Sequence, residues 1–294
     1  MRVFERVVIV GVGLLGASLG MALRQRRAAR RVTGVGRSGS PSVGIALERG
    51  AIDDAAGSVG EVAGAAELIV LCTPVRQFPE MLSGLRGRVG QGTVVTDVGS
   101  TKRQVMQWAR ETLGEAGGGR GAFVGSHPMA GSEKRGPEHA RADLFEGATC
   151  FVCAGDGENG HAAKVESLWQ QVGMRTVRTD AATHDKWVAQ VSHGPHAVAF
   201  ALMNAAARDP ACLAAAAGSF ADMTRVAGSD AEMWTDIFVT NRDAVVAALD
   251  GFSTELGHLR EAIARGDDGA IGRTIGRARA ERERFLAAFG QRKN

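Results

Sequence analysis

The chain has 294 residues, a length that fits one large domain or two domains of ordinary size. Its residues are 45% hydrophobic and 23% charged, which is typical of a globular protein with a full core and excludes a disordered chain. The 35 Lys and Arg residues nearly balance the 32 Asp and Glu residues, so no nucleic-acid partner is expected. No apolar run is long enough for a membrane span, and the first residues lead into a strand without a signal peptide. We expect a cytoplasmic protein.

The four cysteines do not indicate a disulfide framework in a chain of this length. Cys150 and Cys153 form one C-x-x-C motif, but no second pair exists to complete a zinc site. Both lie in an apolar segment that predicts a buried strand. We therefore expect structural thiols and no bound metal.

Apolar, β-rich runs alternate with helical stretches through the first half of the chain. Several runs are continuously apolar, as expected for parallel strands covered on both faces. The pattern predicts a doubly wound α/β domain. The predicted strands are residues 6–10, 31–35, 68–72, 93–96, 122–125, 149–152 and 175–178, with helices that include 15–26 and 102–113.

Strand signals stop near residue 180, and Ala-rich helical stretches follow to the end of the chain. Turn residues such as Asp209-Pro210 and Gly228-Ser229-Asp230 separate them. We predict two domains, residues 1–179 and 180–294, of which the second is entirely helical. Its helices are predicted at residues 183–204, 211–226, 231–265 and 267–289.

A glycine motif, Gly11-Val12-Gly13-Leu14-Leu15-Gly16, follows the first strand and opens the first helix. The first glycine makes a tight turn, the second lets the backbone approach a pyrophosphate, and the third lets helix and strand pack closely. The helix N-terminus offers free N–H groups to the phosphates. The motif predicts a Rossmann-type domain that holds a dinucleotide on the backbone of Gly11, Gly13, Leu14, Leu15 and Gly16.

The end of the second strand, Val35-Gly36-Arg37-Ser38, decides which nicotinamide cofactor fits. NAD sites usually place an acid there to bind the ribose hydroxyls, and here no acid is present. Arg37 and Ser38 offer a cation and a hydroxyl to a 2′-phosphate. We therefore predict NADP in preference to NAD, with a solvated surface arginine as the alternative reading of Arg37.

The next two strand ends bring polar residues to the same edge of the sheet. Thr73, Ser100 and Asp97 could line the nicotinamide end of the cofactor, because ligands bind outside the carboxyl ends of such strands. Ser100 and Thr101 are also ordinary helix N-cap residues. The sequence leaves both roles open.

His127 follows an apolar run and precedes Pro128, which predicts a histidine at the carboxyl end of a strand. Oxidation of an alcohol needs a proton acceptor beside the hydride acceptor, so His127 is a candidate general base. The chain has no tyrosine, which excludes the Tyr–Lys chemistry of short-chain dehydrogenases.

A second polar cluster opens the helical half, with His184, His193 and His196. A metal site is a weak interpretation because no carboxylate partner is evident. Arg225 stands in an apolar helix end, where it either pairs with an acid or binds a substrate carboxylate. We expect anion recognition here.

The chain resembles the prephenate/arogenate (cyclohexadienyl) dehydrogenase family over nearly its whole length. The carriers of the resemblance are the glycine motif, Asp97-Val98-Gly99-Ser100-Thr101-Lys102, Ser126-His127-Pro128-Met129-Ala130-Gly131-Ser132-Glu133, Ser192-His193-Gly194-Pro195-His196, and residues 220–227 with Met233-Trp234. The resemblance implies oxidative decarboxylation of prephenate and/or arogenate with NAD(P)+ in tyrosine biosynthesis, giving 4-hydroxyphenylpyruvate and/or tyrosine.

The resemblance also implies roles for individual residues. His127 would accept the hydrogen bond of the ring C4 hydroxyl, and Ser100 would orient that histidine. Arg225 would bind a substrate carboxylate with the help of His184 and His196. Ser132 and Glu133 would belong to a substrate loop. The implied fold is an α/β Rossmann-type doubly wound sheet followed by an all-helical dimerisation domain, so we expect a homodimer.

Two other functions fit parts of the sequence. A β-hydroxyacid dehydrogenase would share both halves and would need a helical-domain lysine, for which Lys186 is the candidate. A non-enzymatic dinucleotide-sensing protein would not need His127, Arg225 and the histidine cluster together. Prephenate and arogenate are not separated either, because Glu133 could attract the arogenate ammonium or simply cap a helix.

Overall fold

The computed structural model describes residues 3–37, 39–114, 122–132, 134–154 and 159–291. The chain forms two compact units, Met1–Arg242 and Asp243–Asn294. The first unit contains both sheets and the first part of the helical half. The second contains most of the last two helices. The domain boundary predicted between residues 179 and 180 stays a prediction.

Six strands of the first unit form one parallel sheet. They run in the order β3-β2-β1-β4-β5-β6, with every neighbouring pair parallel. This order is that of a doubly wound dinucleotide-binding sheet, so the predicted fold class is confirmed. The strands are β1 (Phe4–Val10), β2 (Ala29–Val35), β3 (Asp54–Ala56), β4 (Leu68–Leu71), β5 (Val94–Asp97) and β6 (Ala122–Phe123).

Helices cover both faces of this sheet, because alternate residues of each strand point to opposite sides. In β1, Val7 and Ile9 belong to one buried apolar cluster, and Val8 and Val10 belong to another. The helices of this part are α1 (Leu14–Gln25), α2 (Pro41–Glu48), α3 (Val59–Val62), α4 (Phe78–Leu85), α5 (Arg103–Leu113) and α6 (Asn159–Gln171).

A second sheet of three strands follows, formed by β7 (Gly125–Pro128), β8 (Thr149–Cys153) and β9 (Arg175–Thr179). β7 is antiparallel to β8, and β8 is parallel to β9. The single strand predicted at residues 122–125 is therefore wrong, since the chain leaves the first sheet after Phe123 and enters another. His127 lies opposite Phe151, one residue before the carboxyl end of β7, in the antiparallel pair of this second sheet.

The helical half begins at Asp180, whose carboxylate accepts hydrogen bonds from the N–H groups of Ala182 and Thr183. The stretch predicted at residues 183–204 is helical but contains a π-helical turn, Ala189–His193. The long helix predicted at residues 231–265 is divided at Asn241. The helices are α7 (Ala181–Val188), α8 (Gly194–Ala206), α9 (Pro210–Ala214), α10 (Gly218–Thr224), α11 (Ala231–Thr240), α12 (Arg242–Arg265) and α13 (Asp268–Gln291), with a 3₁₀ turn at Arg225–Gly228.

The described residues include no helix that combines the length and the apolar character needed to cross a membrane. The four cysteines are free thiols, and Cys150 and Cys153 are buried on β8 as the sequence predicts.

Candidate active site

The turn from β1 to α1 has the geometry of a pyrophosphate-binding turn. Gly11 has a φ of +94°, which L side chains rarely adopt. A Cβ atom at Gly16 would lie 2.1 Å from the carbonyl oxygen of Gly11, so only glycine fits there. A Cβ atom at Gly13 would meet nothing within 4 Å, and no side chain caps the first turn of α1. The N–H groups of Leu14 and Leu15 are thus exposed to an anion at the helix N-terminus.

Thr73 is the second residue after β4 and lies beside this turn. Its hydroxyl oxygen is buried and has no hydrogen-bond partner among the described residues. A buried hydroxyl without a partner is costly unless a ligand or water satisfies it. Thr73 and the glycine turn therefore both fit a bound dinucleotide.

The residues after β2 have different environments. Arg37 is exposed and makes no ion pair with a described residue. Ser38, the other predicted phosphate ligand, lies outside the described residues. Arg24 and Arg26 do not add free charge here, because they pair with Asp53 and Glu146 at 3.0 and 2.5 Å.

The candidate base is the first of three side chains in a hydrogen-bonded row. The Nδ1 atom of His127 lies 2.9 Å from Nε2 of His184, and Nδ1 of His184 lies 2.8 Å from Oδ1 of Asp185. A carboxylate only accepts, so His184 carries its proton on Nδ1 and accepts on Nε2. His127 must then donate its own Nδ1–H to His184. The lone pair of His127 Nε2 is left available to a substrate.

Asp185 is itself fixed by the N-terminus of α5. Its Oδ1 atom accepts from the N–H of Lys102 at 2.7 Å, and its Oδ2 atom accepts from the N–H of Arg103 at 2.9 Å. The sequence allowed Ser100 or Thr101 to cap this helix, but neither side chain does so. The carboxylate of Asp185 from α7 caps it instead. The hydroxyl of Thr101 is hydrogen bonded to Thr240 at 2.9 Å.

Burial keeps both imidazoles neutral. It lowers the pKa of His127 well below the ordinary value of 6.5, and the nearby His184 and Lys102 lower that pKa further. Burial also lowers the pKa of His184, although the hydrogen bond to Asp185 opposes that shift. His127 is therefore unprotonated near neutral pH and can act as a base.

Asp97 does not line the cofactor edge, contrary to one interpretation of the sequence. It is fully buried and forms an ion pair with the equally buried Lys102. Its Oδ1 atom accepts from the N–H of Ser126 at 3.0 Å, and the hydroxyl of Ser126 donates to the carbonyl of Asp97 at 2.5 Å. The indole N–H of Trp169 donates to the same hydroxyl at 3.0 Å. These bonds tie β5 to the strand that carries His127.

A second group of side chains surrounds His196 on α8. Its ring stacks on Trp234 with a centroid distance of 3.7 Å, and its Nδ1–H donates to the carbonyl of Ser192 at 2.8 Å. The indole N–H of Trp234 is buried without a partner among the described residues. Arg225 is exposed, and its charge acts on His196. Burial, in the first place, lowers the pKa of His196.

The remaining predicted residues are less defined. Ser100 is half-buried between β5 and α5. Ser132 is exposed, and its hydroxyl accepts from the N–H of Lys134 at 3.1 Å. Glu133 lies outside the described residues. His184, predicted to help bind a carboxylate, is fully buried between His127 and Asp185, so the geometry favours a supporting role for it.

Sequence reasoning missed Asp185, Trp234 and Asn241 as parts of the site. Asn241 donates to the carbonyl of Asp185 at 2.9 Å and to Nδ1 of His193 at 3.1 Å. Asp185 stands beside His184 in the sequence, so a carboxylate partner for the histidines was present in the pattern. The described residues contain no cluster of three or more His, Cys, Asp or Glu side chains suited to a metal ion.

Comparison with known proteins identifies the family. The family description "Prephenate dehydrogenase, nucleotide-binding domain" matches residues 19–178, and "Prephenate dehydrogenase, dimerization domain" matches residues 180–276. The chain belongs to the prephenate dehydrogenase family. It is thus an oxidoreductase that uses a nicotinamide dinucleotide.

Individual relatives agree with this family. The prephenate dehydrogenase of Bacillus subtilis is 32% identical over 269 residues, which cover 90% of this chain and 71% of the relative. The cyclohexadienyl dehydrogenase of Zymomonas mobilis is 30% identical, with 91% of each chain covered. The crystal structure of prephenate dehydrogenase from A. aeolicus with hydroxyphenyl propionate and NAD+ superposes with a TM-score of 0.88 at 31% identity, covering 96% of this chain and 98% of that one.

Proposed function

We propose that the chain oxidatively decarboxylates prephenate and/or arogenate with His127 as the general base. One observation carries the proposal: the hydrogen bonds from His127 through His184 to Asp185 leave the Nε2 lone pair of a buried, neutral imidazole for the substrate. The family of the chain supports the reaction class. It argues against both a β-hydroxyacid dehydrogenase and a non-enzymatic sensor. The side chain of Lys186, which the former would need, is exposed.

In this mechanism His127 Nε2 accepts the proton of the ring C4 hydroxyl. When bound, the nicotinamide supplies the acceptor for the hydride that leaves C4. The bond between the ring and its carboxylate breaks, CO2 departs, and the electron pair of that bond makes the ring aromatic. The C4 oxygen then takes back a proton from His127. No net proton is released. The base must therefore accept a proton and later return it, as an imidazole that starts in its neutral form can do.

Substrate carboxylate binding falls to Arg225 in this proposal. A guanidinium is always charged and presents several donors, which suits a carboxylate. The buried indole N–H of Trp234, whose ring stacks on His196, supplies a further donor. Ser132 and Glu133 remain proposed members of the substrate loop, and Ser100 remains a proposed residue that orients His127.

His196 has a different capacity from Arg225. Its Nδ1–H is used by Ser192, so the neutral ring presents only an acceptor at Nε2. That atom suits the ammonium group of arogenate directly. The keto oxygen of prephenate would require the protonated ring. We therefore expect the arogenate-to-prephenate ratio of kcat/KM to rise with pH where His196 loses its proton.

NADP+ is the proposed cofactor, with NAD+ as the alternative. Support comes from the absence of an acid at Gly36 and from the exposed guanidinium of Arg37, which forms no ion pair with a described residue. The backbone of Gly11, Gly13, Leu14, Leu15 and Gly16 would hold the pyrophosphate, and Thr73 would line the nicotinamide end.

We also propose a homodimer through the helical half, in a cytoplasmic setting. The matched dimerization domain supports the assembly. The four free thiols fit a reducing compartment. Light scattering at micromolar concentration tests the dimer, which a monomer mass would contradict.

Steady-state kinetics of the full chain with prephenate and arogenate, each with NADP+ and NAD+, test the function. We expect turnover of at least one substrate, and a higher kcat/KM with NADP+. A 3-hydroxyacid serves as the control substrate and should not be oxidised. No turnover of either cyclohexadienyl acid would contradict the proposal, whereas strong NAD+ preference would contradict only the cofactor choice.

A further inference from the structure

Gly36, the residue after β2, has no room for a side chain. A Cβ atom built there would lie 2.4 Å from Cγ2 of Val43 and 3.9 Å from Cγ2 of Val12. Real Cβ atoms do not approach another carbon to 2.4 Å, so any residue other than glycine requires a movement of Val43. The missing acid at this position therefore reflects the packing of the neighbouring helix.

Val43 cannot move easily. It is the third residue of α2, and its side chain packs against the buried apolar cluster on one face of the sheet. A β-branched side chain in a helix has one strongly preferred rotamer, so rotation about χ1 does not clear the space. A shift of the whole helix would open the core beside it.

We propose that Val43 is a specificity-determining residue that keeps an acid out of position 36. The ribose hydroxyls of NAD are usually bound by an acid at the end of the second strand. With Val43 in place, this chain cannot hold that acid, and the exposed Arg37 follows at the next position. The inference rests on the proposed cofactor preference and names the packing contact that enforces it.

A double-mutant cycle on cofactor affinity tests the contact. The cycle uses the single variants Gly36→Asp and Val43→Ala and the double variant. Calorimetry measures the Kd of each for NAD+ and NADP+. We expect Gly36→Asp alone to tighten NAD+ less than about threefold, and the double variant to bind NAD+ at least about tenfold more tightly than that single variant, a coupling typical of residues in contact.

Leu47→Ala is the matched control, since Leu47 lies one turn further along α2 and is 40% exposed. Gly36→Asp with Leu47→Ala should bind NAD+ like Gly36→Asp alone. If Gly36→Asp does not fold, Gly36→Ala adds only the clashing Cβ atom. Its Tm should fall, and Val43→Ala should recover most of that loss.

Additive effects of the two substitutions, on Kd or on Tm, would overturn the role of Val43. The wild-type preference is measured separately. A wild type that prefers NAD+ defeats the proposed cofactor, while the coupling between positions 36 and 43 still decides whether Val43 excludes the acid.

Discussion

The Nδ1 atom of His127 lies 2.9 Å from Nε2 of His184. Because His184 is bonded on its other side to Asp185, which accepts two N–H groups of the α5 N-terminus, the direction of every proton in the row is fixed. The substrate-facing nitrogen of His127 is therefore an acceptor before any ligand arrives.

Replacement of His127 by Asn should lower kcat by about a hundred- to ten-thousand-fold, the usual contribution of a positioned base. Cofactor binding, measured by fluorescence or calorimetry, should persist. In the wild type, burial lowers the pKa of His127, so the base stays unprotonated until the pH falls well below 6.5. The acid limb of kcat/KM should therefore lie below pH 6.5. Near-normal turnover of the variant would remove His127 from the mechanism.

His184→Ala should lower kcat by about 10- to 100-fold, because loss of the acceptor leaves the Nδ1–H of His127 unpaired at a cost of about 1–3 kcal/mol. KM should change little, since His184 is buried away from the substrate. His184→Gln keeps an acceptor oxygen and should recover part of the rate. A large rise in KM with unchanged kcat would instead make His184 a substrate ligand.

Arg225→Ala should raise KM for the cyclohexadienyl acid with a smaller effect on kcat, because a carboxylate ligand is lost in the ground state and the transition state alike. Arg208→Ala removes another exposed arginine of the helical half and serves as the control. The KM for the cofactor should be unchanged in both. Equal KM values in the two variants would show that Arg225 does not bind the substrate.

The unfolding free energy should decrease as the pH falls from 6.5 to 4. Burial lowers the pKa of His193 to about 4 in the folded protein, so the unfolded chain binds a proton first as the pH falls. The contribution of this residue is present above pH 6.5 and is lost on the way to pH 4, by about 3 kcal/mol. Urea titrations across this range measure it.

His193→Asn keeps an acceptor for Asn241 and removes the titrating ring, so its stability should depend less on pH than that of the wild type. His258→Gln replaces an exposed histidine and provides the control. Identical pH dependence in wild type and His193→Asn would contradict the assignment.

Much of the first unit follows from local pattern. Continuous apolar runs such as Val7–Val10 predict buried parallel strands, and Gly11 to Gly16 predict the turn after β1, because both depend on neighbouring residues only. β3 escaped prediction because a strand of three residues, Asp54–Ala56, has no period to detect. The start of α2 was predictable from Ser40-Pro41, an N-cap residue followed by proline at the first helical position.

The residue types of the candidate site were predictable from the sequence, but the contacts between distant segments that build the site were less so. The motif around His127 identifies a base, but nothing local shows that the chain changes sheets after Phe123. The α5 cap is likewise non-local, since Asp185 reaches across from α7 to bond Lys102 and Arg103. Such contacts depend on how distant segments pack, which sequence periodicity does not encode.

The π-helical turn Ala189–His193 sets the angular phase between the two parts of the site. His184 and His196 are twelve positions apart. In a regular α-helix their side chains would point about 120° away from each other. A π turn absorbs one residue, which reduces that angle to about 20° and brings both imidazoles to one side. Deletion of Val191, which is 72% exposed, would leave a helix of ordinary appearance. The eleven positions that remain would again place the two imidazoles about 20° apart, so the extra residue of the π turn is what lets a spacing of twelve positions keep both on one side.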